Sequence, residues 1–235
     1  MRTSFLQFLT IAALGVACSI HIGDLKEKAS AEQDVSFTIS ANVQRLTIET
    51  FNGSLELVES DQASEELRIS GASKIWASAN TQEDAALRLA EMEWVYTESG
   101  DEATISLTRP ASRSSNTGGS LSRLMIPAGL AVKLDSNNGS LSLTGACENF
   151  ALETSNGRVT VQLTGDWSGN GSCESSNGRI AVRCDGILDC RLDMKTSNGQ
   201  PKVLGPPLSQ ETGLGSLRLR TSNGHITVTH LFGSE

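Results

Sequence analysis

Apolar residues return along this chain at intervals of two. Val35, Phe37 and Ile39 alternate with polar neighbours, then Leu46 and Ile48, then Leu55 and Leu57 beyond an Asn52-Gly53 turn. A period of two is that of half-buried strands. Glu66-Leu67-Arg68-Ile69-Ser70 reads as another short strand. The period then changes. Thr81 can cap a helix with Asp84 three residues on, and Ala86, Leu89, Ala90 and Trp94 are spaced for one helical face, which predicts a helix through about Glu93. Trp94-Val95-Tyr96-Thr97 and Thr104-Ile105-Ser106-Leu107 predict a hairpin around Ser99-Gly100-Asp101. Residues 109–120 read as a mobile Ser/Gly/Asn-rich loop, and strands restart at Leu124-Met125-Ile126-Pro127.

From there the alternation becomes a repeat. Asn138, Asn156, Asn177, Asn198 and Asn223 each precede a glycine and are separated by 18, 21, 21 and 25 residues. A near-constant period marks repeated structural units. Six residues before these asparagines stand Val132, Phe150, Gly171, Leu192 and Leu217; four before stand Leu134, Leu152, Cys173, Met194 and Leu219. Three after stand Leu141, Val159, Ile180, Pro201 and Ile226; five after stand Leu143, Val161, Val182, Val203 and Val228. These columns are nearly all apolar. Leu46, Ile48, Leu55 and Leu57 obey the same register about Asn52, so residues 61–125 read as an insert behind a first rung.

Asn-Gly tolerates positive φ at both residues and turns the chain sharply. The pairs Asn52-Gly53, Asn138-Gly139, Asn156-Gly157, Asn177-Gly178, Asn198-Gly199 and Asn223-Gly224 are therefore structural corners. Two geometries satisfy them: a solenoid whose rungs stack, or a series of type I′ hairpins with Leu152 opposite Val161. The repeated Ser/Thr-Ser-Asn-Gly letters exceed what a turn needs and favour stacking, because identical side chains can hydrogen-bond from rung to rung. Stacking in chain order sets Glu174 beside Lys195. The expected fold is all-β, a β-solenoid or β-helix-like array with a small inserted helix plus hairpin.

The order of an Asn-Gly strand pair, a helix-containing insert, Leu124-Met125-Ile126-Pro127-Ala128-Gly129 and a run of Thr-Ser-Asn-Gly rungs resembles the bacterial "putative adhesin" domain family of unknown function. The resemblance covers about residues 35–230, carries no catalytic motif, and implies an envelope-located β-solenoid. The adhesin part of that name rests on shape and repeats.

Composition narrows the partner. The 235 residues hold 19 Lys and Arg against 27 Asp and Glu, a formal net charge of -8. This balance argues against nucleic acid and against electrostatic docking on anionic lipid. Aromatics are only 4%, which suits thin layers of Val, Ile and Leu. At the N-terminus, Arg2 and the apolar run Phe5 to Ala17 read as a signal peptide over residues 1–17, too short for a spanning helix. Leu14-Gly15-Val16-Ala17-Cys18 resembles a lipobox, making Cys18 a candidate lipid attachment, with residues 18–34 as a polar tether. Gly15 departs from that pattern; ordinary cleavage after Ala29-Ser30-Ala31 is the rival. Residues 35–235 then form a single domain outside the cytoplasm, in the cell envelope.

Setting Cys18 aside, Cys147, Cys173, Cys184 and Cys190 allow two disulfides, of which Cys184–Cys190 across a short loop is the best candidate. Cys173 falls on an inward column and equally reads as a small buried residue. No metal site, cofactor or nucleophile motif emerges: His225 and His230 are five apart on one strand and so on opposite faces. Trp167, the one aromatic tryptophan of the array, is a candidate ligand contact, with edge packing as its alternative. Asp166, Asp185 and Asp189 lie in loops near glycines. The leading function is a non-catalytic binding, adhesin-like or scaffold module for a protein or glycan of the envelope. The alternatives are an envelope-stress or signalling accessory lipoprotein that binds a membrane protein, and a carbohydrate-active β-helix enzyme using those carboxylates.

Overall fold

The structure is a computed structural model that describes residues 27–60, 67–111, 116–205 and 213–230. The strands are β1 (Glu27–Thr38), β2 (Arg45–Asn52), β3 (Leu55–Ser60), β4 (Arg68–Ala79), β5 (Trp94–Ser99), β6 (Glu102–Leu107), β7 (Thr117–Pro127), β8 (Ala131–Asn138) and β9 (Leu141–Gly145). They continue with β10 (Asn149–Asn156), β11 (Val159–Leu163), β12 (Asn170–Asn177), β13 (Ile180–Cys184), β14 (Cys190–Asn198), β15 (Pro201–Leu204), β16 (Gly215–Asn223) and β17 (Ile226–His230). One helix, α1 (Gln82–Ala90), lies between β4 and β5. The chain is thus all-β with a small helix.

Two sheets hold these strands. One runs β1-β4-β7-β3-β9-β11-β13-β17-β15 and the other β14-β16-β12-β10-β8-β2-β6-β5. Each Asn-Gly corner joins a strand of the second sheet to a strand of the first. Neighbouring rungs pair in parallel and in register, so Leu152 stands between Leu134 and Cys173 and Val161 between Leu143 and Val182. Leu152 and Val161 lie in different sheets, so the hairpin geometry is not the one adopted.

The rungs do not follow chain order. From Asn177 the chain passes to the Asn198 rung at the end of both sheets, then returns to lay the Asn223 rung between them: β16 pairs with β12 and β14, and β17 with β13 and β15. Glu174 therefore faces Arg220, and Lys195 also faces Arg220, not Glu174 as stacking in chain order requires.

The segment after the first rung extends both sheets. β6 pairs in parallel with β2 and β7 with β3, while β5, β4 and β1 add antiparallel strands outside them. Three expectations change here. Residues 27–34, read as tether, lie in β1, where Val35 and Phe37 alternate inward and the pairing with β4 runs back to Glu27. Residues 117–120, read as loop, open β7, with Thr117, Gly118 and Gly119 buried. The helix ends at Ala90; Thr81 caps it through the Asp84 N–H, and its buried side is Ala85, while Ala86 and Ala90 are exposed.

The core is a stack of aliphatic layers. Leu46, Ile48, Leu134, Leu141, Leu143, Leu152, Val159 and Val161 are fully buried. Each buried Leu or Val contributes about 1.5–3 kcal/mol relative to exposure. Gly171 interrupts its column because the Phe150 ring fills the space: a Cβ there would lie 2.3 Å from Phe150 Cζ. Trp76 lies over Gly53 and Gly118, which ties the added strands to the first rung, and Trp94 packs against Gly119 of β7. Among the described residues no helix is long and apolar enough to cross a membrane.

Candidate functional site

The corner motif is the most repeated feature, and its geometry shows its role. Asn138 Nδ2 donates to Asn52 Oδ1 at 2.7 Å, Asn156 to Asn138 at 2.8 Å, Asn177 to Asn156 at 2.9 Å, Asn223 to Asn177 at 2.7 Å and Asn198 to Asn223 at 2.7 Å. At minus two, the hydroxyls of Thr50, Ser136, Thr154, Ser175, Thr221 and Thr196 each donate to a glycine carbonyl of the adjoining rung. These hydroxyls face inward, where a hydroxyl needs a partner and has one.

The glycines serve close approach rather than a left-handed turn. Among the corner residues only Gly53 has positive φ. A Cβ on Gly139, Gly157, Gly178, Gly199 or Gly224 would lie 1.8–2.0 Å from the carbonyl oxygen of the glycine in the adjoining rung. The expectation of positive φ at Asn and Gly is thus corrected: the turn is built from ordinary backbone, and glycine is needed because corners stack on corners. The motif is consumed by structure.

The outer face of the second sheet is different, since its side chains touch no core. At minus three the register sets Glu49, Asp135, Glu153, Glu174, Arg220 and Lys195 side by side in that spatial order. Neighbouring strands lie ~4.8 Å apart, where facing like charges are destabilising. Among the described residues, Arg218 reaches Glu174 at 3.6 Å and Arg220 pairs with Asp193; no ion pair reaches Glu49, Asp135 or Glu153. At minus one run the exposed hydroxyls of Ser155, Ser176, Ser222 and Ser197. The acid and serine columns line a shallow groove of about 520 Å³. A second trough on the same face, about 560 Å³, is floored by Ala131, Ala151 and Gly171 and flanked by Arg45, Lys133 and Arg218.

The residues singled out by sequence lie elsewhere. Trp167 is 3% exposed, stacks obliquely on Phe150 at 5.7 Å and donates Nε1 to Cys147 O at 2.8 Å. It is a core residue and not a ligand contact, because the segments between rungs also stack: Trp167 bridges Leu188. Cys147, Cys173, Cys184 and Cys190 are buried free thiols, so the expected Cys184–Cys190 bridge is not formed. Burial raises all four thiols, Cys147 and Cys190 to about 12. Asp166 Oδ1 accepts from Ile187 N of the adjoining connecting segment at 2.8 Å, and Asp185 pairs with Arg183 at 2.8 Å, so one carboxylate ties two loops together and the other holds its own. His225 is exposed and His230 buried, on opposite faces as the spacing requires. Cys18 and the signal segment lie outside the described residues.

Sequence reasoning missed a polar knot between β1 and β5. Glu98 accepts from Ser40 N at 2.8 Å, from Ser40 Oγ at 2.5 Å and from Tyr96 Oη. Burial works to raise the Glu98 carboxyl, but the hydrogen bonds from Ser40 and Tyr96 hold it below the usual range. Burial, then Glu98 itself, pushes the Tyr96 phenol up. Arg109 lies over the Phe51 ring at 4.7 Å, a cation–π contact. Ser40 and Glu98, like Phe51 and Arg109, are far apart in sequence, so only the fold brings them together.

No family model matches the chain, and no curated protein matches it. It is similar in structure to a "putative cell adhesion protein" from Clostridium sporogenes, at 11% identity and TM-score 0.46, over 85% of this chain and 99% of that one. It is also similar to a "putative adhesin" from Bacteroides fragilis, at 11% identity and TM-score 0.34, over 84% and 96%. A third is a "Putative lipid binding protein" from Parabacteroides distasonis, at 13% identity and TM-score 0.34, over 87% and 95%.

Proposed function

We propose that this chain is an exported cell-envelope β-solenoid acting as a non-catalytic, adhesin-like binding module. Its docking surface is the outer face of the second sheet. One observation carries the reading: Glu49, Asp135 and Glu153 stand side by side without an ion pair among the described residues. That row costs stability, and a partner bearing positive charge removes the cost on binding. The serine column beside it supplies hydroxyls that both donate and accept. A protein with a basic surface fits this face best, and a glycan is the other occupant the test distinguishes.

The face suits recognition because its backbone is fixed by parallel pairing on both sides and by the asparagine ladder, so little ordering entropy is lost on docking. Lipidation at Cys18 belongs to the same proposal. Only eight residues, 19–26, separate Cys18 from β1, which at ~3.3–3.6 Å per residue holds the domain within about 30 Å of the bilayer. Cleavage after Ala31 would instead remove five residues of β1, which disfavours it.

The test is retention of native envelope components on the immobilised chain. Glu153→Lys with Glu174→Lys should abolish retention while thermal unfolding stays cooperative, and raising salt from about 0.05 to 0.5 M should release the partner. Retention unchanged by both would overturn the reading; release by free sugars and not by salt would assign a glycan.

A further inference from the structure

The two ends of the rung stack differ. At the first rung, Asn52 Nδ2 donates to Thr117 O at 2.8 Å, so β7 closes the asparagine ladder. At the other end, among the described residues, β14 pairs only with β16 and β15 only with β17. Leu192 and Met194 are half-buried there, whereas Leu217 and Leu219 one rung inward are fully buried. Val203 and Leu204 are 36% and 40% exposed. Among the described residues nothing covers this last aliphatic layer.

The two edge strands are not equally guarded. In the inner rung the residue at plus three, Ile226, donates its N–H outward to Gln200 O at 3.4 Å. In the last rung that position is Pro201, which has no N–H, so β15 cannot extend its ladder in the same way. β14 has nine residues and no proline. Gly215 N–H donates to Asp189 O, so the parallel register turns the backbone groups of Arg191, Asp193 and Lys195 toward β16. The groups of Leu192, Met194 and Thr196 then point outward, ready to pair.

We propose that this open rung is an isologous interface at which a second copy of the chain docks, β14 against β14, antiparallel about Met194. In that register Met194 meets Met194, and Leu192 meets Thr196, each as a hydrogen-bonded pair. On the outer face Asp193 lies directly opposite Lys195 of the second copy, twice by symmetry. Centring on Asp193 or on Lys195 would instead set like charges face to face. Charge therefore selects Met194 over its two neighbours as the centre, a register that the hydrogen-bond phase also allows. The joined edges also cover Leu192, Met194 and Val203 with their own copies.

Sedimentation of the purified chain across a concentration series tests this. The wild type should show a concentration-dependent dimer. Lys195→Asp, which touches no ion pair within the chain among the described residues, should weaken it about tenfold, and Asp193→Lys should do so too. The double variant, Asp193→Lys with Lys195→Asp, should restore dimerisation to within about threefold, since opposite charges again face each other. Thermal midpoints monitor folding separately. A chain that stays monomeric at every concentration would overturn the proposal. A double variant as weak as either single one would overturn it as well.

Discussion

Asn156 Nδ2 donates to Asn138 Oδ1 at 2.8 Å while Asn156 Oδ1 accepts from Asn177 Nδ2 at 2.9 Å. Each asparagine inside the ladder thus uses a donor on one side and an acceptor on the other. Asn156→Ala loses both bonds at an exposed site where water replaces them in part, for a cost of about 1–2 kcal/mol. Asn156→Asp is the sharper variant. Its carboxylate would face Asn138 Oδ1, an acceptor, whereas the protonated acid can donate there. The folded pKa is therefore raised above the unfolded value near ~3.9. The stabilising contribution is fully present below the unfolded value and lost as pH rises through the folded one. Urea midpoints measured from pH 3 to pH 7 should fall for Asn156→Asp relative to wild type; parallel curves would contradict the ladder.

Gly157 should tolerate no side chain. A Cβ there would lie 1.9 Å from Gly139 O, and relief requires prising two rungs apart across both sheets. Gly157→Val should cost about 3 kcal/mol or more. Gly129 is the control: its φ is +83° and a Cβ meets nothing within 4 Å, so Gly129→Ala pays only backbone strain of roughly 1–2 kcal/mol. Denaturant unfolding of the two variants should separate them clearly. Equal losses would mean that turn conformation, not stacking, demands the corner glycines.

The columns were legible in the sequence because strands alternate: Val159 and Val161 had to share a face, and both are fully buried. The order of the rungs was not. Leu217 and Leu192 occupy the same column, so exchanging the Asn198 and Asn223 rungs leaves every inward position apolar. Only the outer columns register the exchange, by moving Arg220 next to Glu174. The acidic row Glu49, Asp135 and Glu153 lies in rungs that the exchange leaves in place, so that part of the candidate site follows from the repeat register alone. Of the two readings of Trp167, burial favours packing, for a related reason. Its flanking glycines signal a turn, but the turns stack too, and stacked turns bury what a lone turn exposes.

Glu98 should make the added strands acid-sensitive. Its carboxyl is held below the usual 4.5 by Ser40 and Tyr96. A lowered folded pKa contributes stability present above the unfolded value and lost as pH falls through the folded one. Glu98→Gln removes that dependence and weakens the link between Ser40 and β5. Hydrogen exchange at the Ser40 amide should quicken in the variant at pH 7, and in wild type its protection relative to the intrinsic rate should fall as pH drops through the lowered Glu98 value. An unchanged Ser40 amide would show that the knot does not hold the β1 end.

The thiols should be silent until the fold opens. Cys147, Cys173, Cys184 and Cys190 are buried, and Cys147 and Cys190 are pushed up to about 12 by that burial. Thiolate is the reactive form, so labelling at pH 8 should be slow in the native chain and rapid in denaturant. Intact mass after alkylation in denaturant, without reductant, should show all four modified. Two unmodified cysteines in a Cys184–Cys190 peptide would instead restore the bridge between them.

Trp167 is predicted to matter for folding and not for recognition. Its ring packs on Phe150 and its indole N–H satisfies Cys147 O, a carbonyl between stacked rungs. Trp167→Phe keeps most of the ring and removes the donor, leaving that carbonyl short of a partner, at about 1 kcal/mol. Trp167→Ala also opens a cavity between rungs and should cost about 3–5 kcal/mol. Unfolding midpoints should therefore rank wild type, Phe and Ala in that order, with native retention of envelope components unchanged for Trp167→Phe. A Phe variant of wild-type stability that had lost retention would return Trp167 to the binding surface. It would also require the 3% exposed ring to leave Phe150 and give up its bond to Cys147 O.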